Sequence, residues 1–336
     1  MIQKASDTSE LEIITEDAHE LFARMQREFT TPLNGIARRF ADIPVPIDDN
    51  QYRDAANAFV RFLELPLERK LEFSTFIDPS QPKTHSGYEI KSKAPLVVGQ
   101  KELGRNKDDK EFFHYNRHCE RDLAHIINVP DRRVTDFFDA ARPIYAAVEA
   151  AWRDIARAFD TEVPGFYSAA FPDGSLPTIY LRFLAYRPDT KTGTNEKGSY
   201  LANAHYDQAA WTLALAESKP GLRIGRGPTE EQLACETRPK GTYFNSVAHK
   251  PQNAFFFASA ARGQQIPQTL CDAFPLGYHD VLQEDTSNAA QNVPRWAIVA
   301  FLWPVGGKFT PYDQAHPDAA RLGFSEGQAA STKKGY

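Results

Sequence analysis

His205 and Asp207 stand two residues apart in Asn203-Ala204-His205-Tyr206-Asp207, and a second imidazole, His279, follows in Tyr278-His279-Asp280-Val281. Two imidazoles and a carboxylate on one face can hold a divalent ion and leave coordination positions open, the donor set that suits Fe(II) and oxygen chemistry. On a β-strand, side chains at i and i+2 share a face at a spacing of about 7 Å, so His205 and Asp207 can approach one ion together. The third ligand must then arrive from another strand. No thiolate is needed, and Mn(II), Co(II) or Zn(II) suit the same donors. Arg295, in Pro294-Arg295-Trp296-Ala297, favours iron. Its planar fork matches a carboxylate in a bidentate pair, and such an anion would be the far end of a 2-oxo acid. The alternative for Arg295, at the head of an apolar strand, is a structural ion pair.

These residues need strands to carry them, and the hydrophobic period changes from helical to strand-like after Pro177. Short apolar or alternating runs at 178–186, 210–216, 221–225, 254–258 and 296–303 are separated by Gly, Pro and Asn, the pattern of a jelly roll. Upstream the period is helical. Residues 16–28, 50–65 and 132–159 place apolar side chains three and four apart, the last a long amphipathic helix in spite of Pro143. Pro79, Pro82, Gly87, Pro95 and Gly99 mark 78–104 as loop. A short helix over 316–322 is expected in the polar tail. His249 competes with His279 as distal ligand, but Pro251 follows it too soon for a central strand, and His279 is preferred.

Composition narrows the function classes. With 336 residues, 42 % of them hydrophobic and 12 % aromatic, the chain can bury a large core. A formal charge of −5 gives no basic surplus for nucleic acid. No apolar run reaches the length of a membrane span, and the polar, acidic first 20 residues lack the basic start and apolar stretch of a secretion signal. Cys119, Cys235 and Cys271 are scattered and form no CxxC, which fits reduced thiols in a cytoplasmic protein.

The pieces together resemble the isopenicillin N synthase-like, 2-oxoglutarate-dependent Fe(II) dioxygenases. His205-Tyr206-Asp207, His279 and the strand from Arg295 to Pro304 resemble the HxD pair, distal His and Arg strand of that family. Leu63-Glu64-Leu65-Pro66-Leu67-Glu68-Arg69-Lys70 resembles its Leu-Pro-x-Glu-x-Lys helix end, Ser86-Gly87-Tyr88 its Gly-Tyr, Asp109-Lys110-Glu111-Phe112-Phe113 its Asp-x-Lys-Glu, and Leu181–Pro188 its Tyr-Pro strand. The order is the family's, over residues 55–304. Ala297 stands where the family has a Ser, removing one hydrogen bond of about 1.5–3 kcal/mol to a charged group. The longer spacings around His279 imply insertions at 225–240 and 283–291, which closure entropy tolerates.

The resemblance implies a single dioxygenase domain with a double-stranded β-helix (jelly-roll, cupin-like) core, mostly β with flanking helices. Its helical N-terminal part would be 1–165, its catalytic core 166–310 and its C-terminal tail 311–336. It implies Fe(II) on His205, Asp207 and His279, 2-oxoglutarate held by Arg295, and O2 as oxidant; Tyr186 and Arg182, on the strand before the triad, are candidate cofactor-binding residues placed to touch cosubstrate or substrate. A small molecule, for which carboxylate-bearing compounds are the guess from Lys91, Lys93, Lys101, Lys191 and Lys197, would be hydroxylated, desaturated or cyclised, with succinate and CO2 as co-products. Phe112, Phe113, Trp211 and Phe301 are candidate pocket aromatics. The expected partner is that substrate, with no nucleic acid or membrane, and the chain a monomer or weak homo-oligomer. Alternatives are an oxidase of the same fold that dispenses with 2-oxoglutarate and a non-catalytic metal- or ligand-binding barrel.

Overall fold

The computed structural model describes residues 16–76, 85–91, 96–98, 101–103, 109–128, 130–173, 178–186, 200–207, 209–226, 244–259, 266–282 and 294–303. The expected tail helix at 316–322 lies outside these, as do Cys235, Lys93, Lys191, Lys197 and most of both expected insertions.

Helices are α1 (Ala18–Thr30), α2 (Asp49–Leu63), α3 (Leu67–Leu71), α4 (Arg117–Asp122), α5 (Ala124–Ile127), α6 (Arg132–Glu162), α7 (Phe166–Ala170) and α8 (Gln268–Ala273). Strands are β1 (Pro32–Leu33), β2 (Ile36–Ala37), β3 (Ala41–Pro44), β4 (Ser74–Phe76), β5 (His85–Lys91), β6 (Leu96–Val98), β7 (Lys101–Leu103), β8 (Lys110–Tyr115), β9 (Thr178–Tyr186), β10 (Tyr200–His205), β11 (Trp211–Glu217), β12 (Leu222–Gly225), β13 (Phe244–Ser246), β14 (Asn253–Ala258), β15 (Tyr278–Leu282) and β16 (Arg295–Trp303). An eight-stranded antiparallel sheet runs β3-β14-β11-β16-β9-β8-β5-β4, and a four-stranded sheet runs β10-β15-β12-β13. Among the described residues these two are not joined edge to edge, so the jelly roll is a pair of facing sheets.

Each long helix is fixed by its start and its apolar stripe. Asp48 caps α2 through the amides of Asn50 and Gln51, while the Gln51 side chain returns to the Asp48 amide, satisfying donors that a helix start leaves open. The stripes of α1, α2 and α6 bury Phe29, Phe59, Phe62, Phe137, Trp152 and Phe159 against the outer face of the large sheet. Phe183 of β9 meets Phe59 and Phe137 there, and Trp211 of β11 meets Phe159 at 4.9 Å between ring centres.

The division at residue 165 does not separate helix from sheet. β3, β4, β5 and β8 all belong to the large sheet, so the N-terminal part completes the core. The loop expected over 78–104 is also corrected at 85–91, which is strand β5. Gly87 misled the reading because glycine marks turns, but here it sits at φ +78 where an added Cβ would lie 1.8 Å from the Phe73 carbonyl oxygen. Ser86-Gly87-Tyr88, the Leu-Pro helix end and the Asp-x-Lys-Glu segment converge in space. Lys70 and the Tyr88 hydroxyl each reach Glu111 Oε2 at 2.5 Å in a buried cluster that clasps α3 to β5 and β8.

Alternation along the strands settles which residues face between the sheets. With Phe183 against the helices, Tyr180, Arg182, Leu184 and Tyr186 point the other way. Their partners on β16, namely Phe301, Val299, Ala297 and Arg295, and on β8, namely His114, Phe112 and Lys110, share that inner face.

Candidate metal centre and the cavity between the sheets

The three sequence-predicted ligands meet. One donor atom each from His205, Asp207 and His279 lie within 4.8 Å of one another. His205 is paired directly with His279 across β10 and β15, with ring centres 4.3 Å apart. Asp207 Oδ1 is 3.6 Å from His205 Nε2, and its Oδ2 is 3.6 Å from His279 Nε2. The expected strand placement is corrected in one respect: β10 ends at His205, and Asp207 lies two residues beyond it, outside any strand. Register shifts along β10 break the ladder between Ala202 and His205, which frees the chain to swing the carboxylate toward the imidazoles.

Neighbouring groups hold these side chains. The Thr212 hydroxyl donates to Asp207 Oδ2 at 2.8 Å and contacts the Ser259 hydroxyl at 2.8 Å. His279 Nδ1 lies 3.2 Å from the Gly277 carbonyl, so the Nδ1–H tautomer donates there and Nε2 keeps its lone pair for the centre. Burial pushes His279 down to about 4, against the opposing pull of Asp207, so the ring is neutral and able to ligate. Burial alone would raise Asp207, yet His279, His205 and the Thr212 hydrogen bond together hold it well below the usual carboxylate range. His249 does not join. Its ring packs on Phe255 at 4.8 Å on another part of the inner wall, and burial, with Arg295 nearby, lowers it to about 4.

Arg295 opens β16 and is buried, 7 % exposed. Its Nη2 is bound by Glu217 Oε2 and donates to the Lys219 carbonyl at 2.8 Å, whereas its buried Nε and Nη1 have no partner among the described residues. Glu217 is the cross-strand neighbour of Ala297, so a carboxylate stands opposite the position where a serine hydroxyl was expected. Glycine is required at 221, where a Cβ would fall 2.4 Å from the Leu282 carbonyl oxygen and 2.6 Å from Arg295 Nη2. Tyr186 pairs with Arg295, its ring 5.8 Å from the guanidinium carbon.

Arg182 also faces the cavity. Its guanidinium carbon lies 4.7 Å from the Phe112 ring centre and 4.4 Å from that of Phe301, and its Nε donates to His114 Nε2 at 2.7 Å. His114 carried no flag in the sequence; only its register opposite Arg182 reveals it. Of the four candidate aromatics, Phe112 and Phe301 line the cavity, while Phe113 and Trp211 pack under the helices. Phe112, Leu184, Tyr186 and Leu201 form an apolar cluster of their own, apart from the main core, with Val281 and Ala297 against it.

The fold resembles that of solved structures described as 2-oxoglutarate/Fe(II) oxygenases. A full-length Neurospora crassa protein, solved in complex with alpha-KG, superposes with a TM-score of 0.56 at 18 % identity over 99 % of this chain and 100 % of its own. A Caulobacter crescentus structure described as a 2OG-Fe(II) oxygenase family protein gives 0.54 at 19 % identity over 94 % and 93 % of the two chains. An Arabidopsis thaliana dioxygenase for auxin oxidation, bound to 2-oxoglutarate, gives 0.52 at 14 % identity over 88 % and 91 %. No protein-family model and no curated protein matches the sequence.

Proposed function

We propose that this protein is a non-haem Fe(II)- and 2-oxoglutarate-dependent oxygenase that oxidises a C–H bond of a small molecule. The observation that carries this reading is the convergence of two imidazoles and one carboxylate within 4.8 Å, on the inner wall of a fold shared with such enzymes. The donor set fits the metal. His279 presents Nε2 because Nδ1 is engaged by Gly277, and Asp207 is aimed by Thr212. When bound, the iron supplies the oxygen chemistry that side chains lack.

The chain's own residues do the rest. Arg295 offers unpartnered buried donors to the far carboxylate of the cosubstrate, and Glu217 fixes the orientation of its guanidinium. Tyr186 flanks that position. Phe112, Leu184 and Leu201 form an apolar wall around Tyr186, the strand partner of Arg295. Hydroxylation, desaturation or cyclisation is the outcome on the substrate, with succinate and CO2 formed from the cosubstrate. A cytoplasmic location and a monomeric or weakly associating chain belong to the same reading. Among the described residues no helix is long and apolar enough to cross a membrane.

One observation supports a second reading. Glu217 already neutralises Arg295, as suits an oxidase that needs no 2-oxo diacid. The two are separated by anaerobic titration of Fe(II)-loaded protein with 2-oxoglutarate, followed by its charge-transfer absorption. Band formation with about one Fe(II) per chain is expected. His279→Ala should abolish metal retention and His249→Ala should keep it; equal retention by both variants, or metal bound with no band, would overturn the first reading.

A further inference from the structure

The two inward arginines differ in their charge balance. Arg295 has an acid against it, Glu217. Arg182 has none within ion-pair distance among the described residues; Asp207 and Glu89 act on it only from further away, and Lys91 adds positive charge beside the Phe112 ring. An enclosed guanidinium without a counter-ion is costly to maintain, and a fold tolerates it where a ligand completes it. Asp207 cannot be that complement in the loaded protein, because a metal would claim its charge.

The geometry around Arg182 also specifies what would complete it. The Phe112 and Phe301 rings flank the guanidinium, and His114 Nε2 accepts a hydrogen bond from Nε at 2.7 Å. His114 is neutral, since burial and the neighbouring Arg182 hold it well below its ordinary value, so it accepts without repelling the cation. Only the Nη1/Nη2 edge remains. Two parallel donors in one plane match the two oxygens of a carboxylate. Across the strand pair, Val299 and Ala297 retain accessible surface although they sit in the middle of a sheet, so open space lies on the inner face beside Arg182.

We propose that Arg182, cushioned by Phe112 and Phe301 and oriented by His114, is the receptor for a carboxylate on the molecule that is oxidised, and so selects small organic acids over neutral analogues. This rests on the proposed function only in setting that acid beside the metal centre; the anion site itself needs no metal. Of the two roles open to Arg182 from its place on β9, contact with cosubstrate or with substrate, it takes the second.

The test has two arms. Metal-free protein is melted with benzoate, phenylacetate and hexanoate, each beside its primary amide. The acids should bind about tenfold or more tightly than the amides in the wild type, Arg182→Gln should erase that preference, and Arg182→Lys should restore only part of it because the charge returns without the fork. In the second arm, Fe(II)-loaded protein is titrated anaerobically with 2-oxoglutarate. Arg182→Gln should stay within about threefold of the wild type, while Arg295→Gln should weaken binding about tenfold or more. Acids and amides binding alike, or none binding at all, would overturn the proposal; so would a loss of 2-oxoglutarate affinity in Arg182→Gln equal to that in Arg295→Gln, which would make the cosubstrate the source of the carboxylate. Failure of the metal centre would leave the first arm untouched. Should Arg182→Gln lose its far-UV signature, the Arg182→Lys variant decides.

Discussion

The two ends of the cavity are built from the same cation with opposite bookkeeping. At one end Arg295 is compensated by Glu217 and a carbonyl, and only its buried Nε and Nη1 lack a partner among the described residues. At the other, Arg182 is held by aromatic faces and a neutral imidazole, with no acid in contact. A guanidinium paired within the fold contributes orientation and stability, whereas one left uncompensated contributes affinity for whatever anion arrives. On the proposed reading, the same residue type therefore serves the cosubstrate from a site braced by the fold at one strand end, and the substrate from an uncompensated site four residues along the paired strand.

Stability measurements give the strongest test of this contrast. Arg295→Met should cost about 3–5 kcal/mol, because it breaks a buried ion pair and takes the guanidinium away from the Glu217 carboxylate, while Arg182→Met should leave stability unchanged or raise it. Urea unfolding of both variants decides, and equal losses would erase the distinction. Next in size, Thr212→Val removes a hydrogen bond to a charged carboxylate, a loss of about 1.5–3 kcal/mol, and should weaken metal affinity about tenfold to a hundredfold with no change in either arginine site. Competition with a chelator reads this directly.

Glu217→Gln sharpens the picture at the compensated end. With the opposing negative charge gone, 2-oxoglutarate should bind up to about tenfold more tightly in the anaerobic titration. Unchanged or weaker binding would mean that Glu217 acts on Arg295 only by orienting it. The smallest effect lies in acid stability. His249, near Arg295, is pushed by burial to about 4, while an unfolded chain protonates it near the ordinary value of 6.5. Between those values the unfolded state binds the extra proton. Its share of stability is therefore complete above 6.5 and is lost as pH falls toward 4, at no more than about 1.4 kcal/mol per pH unit. His249→Leu should flatten that limb of the melting-temperature profile by one proton's worth.

Much of the centre was legible in the sequence because metal chemistry restricts residue types. His205, Asp207 and His279 are read from donor identity and order, and the strands that carry them from alternation and turn residues. Three matters were not legible. Lys70, Tyr88 and Glu111 were flagged as separate motifs, yet their meeting in one buried cluster depends on how α3, β5 and β8 dock. The strand at β5 was hidden by Gly87, whose positive φ answers to a carbonyl on a neighbouring segment. The pocket aromatics divided by parity: Phe112 and Phe113 are adjacent in sequence and face opposite sides of the sheet.

By itself, then, the sequence determined the chemistry available to this protein: two imidazoles, a carboxylate and two arginines, on strands of a jelly roll preceded by helices. Tertiary structure decided which imidazole completes the triad, which arginine is already matched by an acid, and that His114 lies against Arg182. The physical reason is that donor type is a property of a residue. Charge balance and facing direction are properties of neighbours, which strand pairing brings from as far apart as Glu217 and Arg295.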